Sequence, residues 1–237
     1  MTVPHLFYGF PDGTFHFLRD IAANNTKDWF VRHQAGYEQY YLAPAIAFVE
    51  SLGPRLQEIS RSVQFEARVN GSIFRIQRDL RFARDRTPYK THLDILFWER
   101  ERRGWDIPSF FFRMTADRLI LGAGMHRFEK WSSDAYRQAV IDPVEGPALV
   151  DVLEGVRQRG PYEIGGASRR TVPRGFDPEH KRATLLFHEG LWASLEENIP
   201  SEAHSHKFIE YCAAHFQAVW PVNQWLSRVL SIGSASA

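Results

Sequence analysis

A chain of 237 residues, 44% of them apolar and 24% charged, is long enough for one large domain or two small ones and has the composition of a globular protein, not a disordered one. A formal net charge of +1 disfavours a general polyelectrolyte binder, which usually carries a clear basic excess, but leaves room for local anion sites. The one cysteine, Cys212, excludes an intrachain disulfide framework and points to a reducing compartment; no basic-led apolar leader opens the chain and no apolar run nears a membrane span, so a cytoplasmic protein off the membrane is expected.

The chain opens in helices. Phe15, Leu18, Ile21 and Ala22 fall on one helical stripe. Asn24-Asn25 breaks it, and Thr26 is placed to cap a second helix carrying Trp29, Phe30, Tyr37, Tyr40 and Tyr41. Pro44 suits the first turn of a third, whose stripe is Ile46, Val49, Leu52, Leu56 and Ile59. The period then changes. Gln64–Val69 and Ser72–Gln77 flank Asn70-Gly71, a strong hairpin signal. A strand is expected over His92–Trp98, with Leu93, Ile95 and Phe97 on one face and His92, Asp94, Leu96 and Trp98 on the other. A second hairpin should join Ser109–Thr115 to Arg118–Gly122 through Ala116-Asp117. Helices return after Phe128, one capped by Asp134, one carrying Leu149, Val152, Leu153 and Val156, and one opened by Asp177-Pro178 and carrying Leu185 and Leu186. Gly190–Leu195 reads as a last strand. Ser201 starts the final helix, which Pro221 kinks or restarts. Helices, strands, then helices predict an α+β fold: one domain over 1–230, its largely antiparallel or mixed sheet drawn from the central third, with a frayed tail over 231–237.

The densest chemistry lies between Arg75 and His92. Arg75, Arg78, Arg81, Arg84, Arg86 and Lys90 are interleaved there with Asp79, Asp85, Pro88, and the apolar Ile76, Leu80, Phe82 and Tyr89. As an extended segment, this run points Arg75, Gln77, Asp79 and Arg81 to one face and Arg78, Leu80 and Phe82 to the other. Residues 83–87 must then turn, because Pro88 disfavours helix at the residue before it. The functional reading is an anion pocket. In it Arg78, Arg81, Arg86 and Lys90 hold a phosphate or carboxylate, and Asp79 and Asp85 orient the arginines or serve as acid and base. His92, two residues from Asp94 on one strand face, is the candidate base. The plainer reading is a set of Arg–Asp pairs that only fix a sheet edge and its loop.

A second basic cluster, Gly165-Gly166-Ala167-Ser168-Arg169-Arg170 through Arg174, could bring backbone N–H groups close to an anion or simply be a surface loop. Gly122-Ala123-Gly124-Met125-His126-Arg127 is not a dinucleotide turn, because Arg127 stands where that fingerprint needs Gly and no βαβ unit surrounds it. No metal site is expected: His204 and His206 face different ways, and Trp192 occupies the position where His188-Glu189 would need a second His. No sequence signal names a cofactor or an oligomeric state. Cys212 reads as core. Trp29, Trp98 and Trp105 lie near charge and could stack on a base or sugar.

Three strings also carry a resemblance. The start Phe10-x-x-Gly13-Thr14-Phe15-x-Phe17-Leu18, then Asn24-Asn25-Thr26-Lys27-Asp28-Trp29-Phe30 with Tyr37, and Arg78-Asp79-x-Arg81-Phe82-x-x-Asp85-x-x-Pro88-Tyr89-Lys90, resemble a family of bacterial and fungal conserved hypothetical proteins, catalogued as a domain of unknown function. By motif spacing the resemblance runs from about Phe10 to about Trp225. Arg86 departs from the Lys that family members often carry after the motif Asp, which keeps the charge and changes its geometry. The resemblance implies one intact α+β domain with Arg78–Lys90 as its signature, and supplies no substrate. Three readings stay open: a protein that binds or acts on a small anionic ligand through the signature; a nucleic-acid-binding module that adds Arg169, Arg170 and Arg174, which the net charge disfavours; and an interaction domain whose signature only locks the fold.

Overall fold

Six strands form an antiparallel sheet and the fold is α+β; its middle strands carry β-branched or aromatic runs, as at residues 95–98 and 110–112. The computed structural model describes residues 6–81, 83–99, 104 and 106–234, the last four as backbone. Phe82 of the signature and Trp105, a candidate stacking residue, lie outside the described residues, as do residues 235–237 of the tail. The strands are β1 (Val63–Gln64), β2 (Leu93–Glu99), β3 (Ser109–Met114), β4 (Arg118–Met125), β5 (Glu163–Ala167) and β6 (His188–Asn198), in the sheet order β1-β2-β3-β4-β6-β5. The helices are α1 (Asp12–Ala23), α2 (Lys27–Arg32), the short α3 (Gln34–Gly36), α4 (Ala43–Ile59), α5 (Lys130–Ile141), α6 (Glu145–Gln158) and α7 (Lys207–Ser234). No helix among the described residues is long and apolar enough to cross a membrane.

The residues group into two units, and each has its own aromatic core. Unit 1 takes the described part of Met1–Phe97 with Phe111–Leu121 and Glu196–Ala214. Its core joins Phe7, Phe10, Phe48, Phe112 and Phe208, with Phe48 and Phe112 ring centroids 4.8 Å apart. Rings at that spacing add to the burial of their area. Unit 2 takes Trp98–Phe110, Gly122–Leu195 and His215–Ala237. There Phe110 packs edge-on against Phe216, and Tyr136 lies between Phe128 and Trp225.

Local chemistry explains where the expected elements hold. Pro11 precedes α1 and Asn24 ends it. The Thr26 hydroxyl accepts a hydrogen bond from Trp29 N and so caps α2. The tight turn between β3 and β4 closes with Thr115 N donating to Arg118 O at 2.9 Å. Asp142 accepts from the N–H groups of Val144 and Glu145 and starts α6.

Five expectations are corrected. The second helix does not run on from Trp29 to Tyr41: it stops at His33, and residues Tyr37–Leu42 form a π-helical turn that leads into α4. The hairpin around Asn70-Gly71 keeps its turn, with Asn70 at φ +63°, but not its ladder. The second arm pairs with β2 instead, through Phe74 N to Asp94 O at 3.0 Å and Leu96 N to Ser72 O at 3.0 Å. Helix α5 starts at Lys130, not at Asp134, because Ser132 and Ser133 already bond back to Glu129 O. No helix follows Asp177-Pro178, only a 3-10 turn over Ala183–Phe187, since the Arg182 guanidinium is drawn into the carbonyls of Val140, Ile141 and Asp142. Finally, Gly165-Gly166 is not in a loop but in β5, which pairs antiparallel with β6.

Candidate functional site

The signature is built in unit 1 as two arms joined by a charged loop. The arms are held by Arg78 N to Pro88 O at 2.9 Å and Lys90 N to Ile76 O at 2.8 Å, with Gln77 bridged to Tyr89. The expected alternation survives without a regular strand: Arg75, Gln77, Asp79 and Arg81 are exposed, whereas Ile76 is buried and Arg78 and Leu80 are half-buried.

The second and third strings of the resemblance meet here. The Asn25 side chain bonds the Tyr89 backbone both ways, donating from Nδ2 to Tyr89 O at 2.9 Å and accepting from Tyr89 N at 3.0 Å. Phe30 stacks on the Tyr89 ring at 4.2 Å, and Tyr37 packs on Phe30 at 5.3 Å.

Most of the predicted anion-binding side chains are occupied within the loop itself. Arg78 donates to Asp85 Oδ2 at 2.5 Å, to Thr87 O at 3.1 Å and to the Thr87 hydroxyl. Asp85 accepts from Thr87 N at 2.9 Å and from the Thr87 hydroxyl at 2.7 Å. Arg81 forms a two-pronged pair with Asp79, and its side chain is 78% exposed. Arg86 donates to Leu80 O at 3.1 Å. Hydrogen bonds from the Arg81 side chain and N–H hold Asp79 down at about 2; bonds from Thr87 N–H and hydroxyl, then Arg78, hold Asp85 at about 2. Both acids are therefore ionised acceptors fixed by their neighbours.

The side chains that converge do so on Asp94, four residues beyond the end of the signature at Lys90. Asp94 is one of two acids, with Glu99, in the wholly buried strand β2, and its side chain is 10% exposed. His92 Nε2 lies 3.1 Å and Lys90 Nζ 3.4 Å from its Oδ2. From β3, Arg113 donates through Nε to Oδ1 at 2.6 Å and through a terminal nitrogen to Oδ2 at 3.1 Å, the bidentate geometry a carboxylate favours. Tyr41 donates to His92 O at 3.1 Å, and Lys90 Nζ sits 4.8 Å above the Phe74 ring.

Burial works to raise the Asp94 carboxyl, but hydrogen bonds from His92 and Arg113 outweigh it and hold the group well below the ordinary carboxylate range. Burial lowers the Lys90 ammonium below its ordinary value; Asp94 opposes this, and the charges of Arg113 and Arg75 add to it.

Thus Lys90 and His92 come together, while Arg78, Arg81 and Arg86 each take a separate local partner. Sequence reading paired His92 with Asp94 but did not reach Arg113 or Asn25. The signal for Asp94 was a carboxylate directly before the apolar run at residues 95–98. Arg113 becomes a partner only when β3 is known to lie beside β2. Among the described residues no group of three His, Cys, Asp or Glu side chains is arranged to hold a metal ion.

A family model described as conserved hypothetical protein (DUF2461) matches residues 13–225. No curated protein matches the chain.

Proposed function

The chain belongs to this family of conserved hypothetical proteins, and on that premise we propose that it binds a small anionic ligand, phosphorylated or carboxylated, at the Asp94 cluster. One observation carries the reading: Lys90, Arg113 and His92 converge on a single, nearly buried carboxylate, and Arg75 stands close enough for its charge to act on Lys90. Cations outnumber the acid, so Asp94 orients them without neutralising the site. Because the Arg113 side chain is 45% exposed, a ligand can reach it from solvent. Desolvation strengthens an anion's attraction to Lys90 and Arg113 relative to open water. In this reading His92, oriented through Nε2 by Asp94, is the group suited to move a proton, and Asp79 and Asp85 shape the loop.

A second reading is favoured by the Arg78–Asp85–Thr87 contacts: the signature is a lock that closes its own loop. Nucleic-acid binding gains no comparable support.

The test is a thermal-shift panel of nucleotides, sugar phosphates, carboxylates and sulfate against the wild type, Lys90→Met and Arg81→Ala. A ligand at a hundred times its Kd adds about 2.7 kcal/mol to stability. The proposal expects a hit that survives Arg81→Ala and disappears in Lys90→Met. A panel with no hit against the wild type would defeat it and leave the lock.

A further inference from the structure

Unit 2 contains a pocket of about 610 Å³, within the size range of small-molecule sites, lined among others by His126, Arg127, Ser133, Ser168, Glu189 and Trp192. His126-Arg127, just after β4, and the Gly166-Ala167-Ser168 segment lie far apart in sequence, and the fold brings them to one cavity.

Strand β5 does this with an irregularity. Its register with β6 shifts between Gly165 and Ala167, after Gly165 has paired with Trp192. A bulge redirects the chain that follows it. Ser168 N and Arg169 N both donate to Phe187 O, at 3.0 and 3.1 Å, and so fold the end of β5 back over β6. The Ser168 hydroxyl then donates to Glu189 Oε2 at 2.6 Å, and Arg169 donates to Glu189 Oε1 at 3.2 Å. On the other side Phe128 N donates to Glu189 O at 2.7 Å and fixes the start of α5 against β6.

Two chemistries result. The Trp192 indole and the His126 imidazole lie 5.3 Å apart, inclined at 34°. Around them the charge is mainly positive: Arg127 is exposed at the lining, Arg169 follows the lining Ser168 and donates to the lining Glu189, and the Arg137 charge also reaches Glu189. The Glu189 carboxylate, with both oxygens bonded, acts as a strut for Ser168 and Arg169.

We propose that this pocket is a second binding site, for a small ligand that joins a flat aromatic ring to an anionic group, as a nucleotide or an aromatic carboxylate does. The ring stacks against Trp192 and His126, and the anionic group pairs with Arg127 and Arg169. Aromatic stacking is tolerant of ring identity, while arginine forks select phosphate or carboxylate. The site is independent of the Asp94 cluster.

The experiment is isothermal titration of the full chain with AMP and with salicylate, then with adenosine, salicyl alcohol and ribose 5-phosphate, which lack either charge or ring. At least one of AMP and salicylate should bind, and its uncharged counterpart should bind at least tenfold more weakly. For AMP, the ringless sugar phosphate should be weaker to the same degree. Arg127→Ala and Arg169→Ala, both changes at exposed positions, should each weaken the binder at least tenfold with an unchanged melting temperature, whereas Lys90→Met should leave it unaltered. The proposal falls if neither ligand binds at millimolar concentration, if both arginine variants bind as the wild type does, or if Lys90→Met abolishes the binding.

Discussion

Asp94 is held by partners on two strands, and its replacement separates the roles those partners play. Asp94→Asn leaves Lys90 and Arg113 without their carboxylate. Removing the shared acid leaves its cations without a counter-charge, which costs several kcal/mol, whereas losing Lys90 leaves Asp94 paired with Arg113 and His92; with Arg113 half exposed, about 3 kcal/mol is expected for Asp94→Asn in urea unfolding. The pH dependence has a definite sign. The folded Asp94 carboxyl lies below its unfolded value of 3.8, so its contribution is fully present above that value and is lost as pH falls through the folded one. The gap between wild type and Asp94→Asn should therefore narrow as pH is lowered below about 4; a gap that stays constant down to acid pH would refute the assignment. Arg81→Ala, at an exposed pair, should leave unfolding unchanged in the same assay. At this scale the sequence was informative wherever chemistry is local. Thr26 as a cap, Asn24 as a helix end and His92 beside Asp94 all depend on neighbours a few residues away. Asn25 on Tyr89 and Arg113 on Asp94 span long stretches of chain, and no local pattern encodes them.

Elements were legible where hydrophobic period and turn chemistry agreed, as in α1, α6 and the β3–β4 turn. They were misread where a side chain bonded to backbone outside its own element. Ser72 shows this: its hydroxyl accepts from Glu66 N and its carbonyl accepts from Leu96 N, so the second arm of the expected hairpin belongs to β2. Arg182, drawn into the carbonyls that end α5, likewise prevents the helix that Asp177-Pro178 announces. Strand β5 was hidden because paired glycines ordinarily signal a loop. Here Gly166, at φ +105°, lets β5 and β6 approach so closely that an added Cβ would lie 2.1 Å from Gly190 O. Gly175 has φ +91° with nothing within 4 Å of such a Cβ. Gly166→Ala should therefore lower the melting temperature by clearly more than Gly175→Ala, which carries only the backbone strain of about 1–3 kcal/mol. Equal shifts would show that β5 yields easily. For the loop of the signature, Arg78→Ala should lower the melting temperature by several degrees, because Asp85 and Thr87 lose the guanidinium that joins them.

For the molecule as a whole, the α+β class follows from the order of the patterns, and the sheet supplies the neighbours that create the Asp94 cluster. Acid should act on the protein in two stages. Burial lowers the His188 imidazole below 6.5, against the opposing hydrogen bond that its Nδ1 donates to Leu185 O. Its contribution is present above about 6.5 and fades as pH falls through the folded value, well before the carboxylates respond. His188→Gln should flatten stability between pH 7 and 5; a variant that tracks the wild type there would assign that limb to other groups. The central claim is that the Asp94 cluster is an anion site and not a structural knot. It is tested most directly by titrating the strongest anion from the thermal-shift panel into the wild type and Lys90→Met, with melting temperatures measured on the same samples. The account predicts at least a tenfold loss of affinity in Lys90→Met with melting little changed in the absence of ligand. Equal affinity in the two proteins would contradict it, as would a variant whose only change is earlier melting.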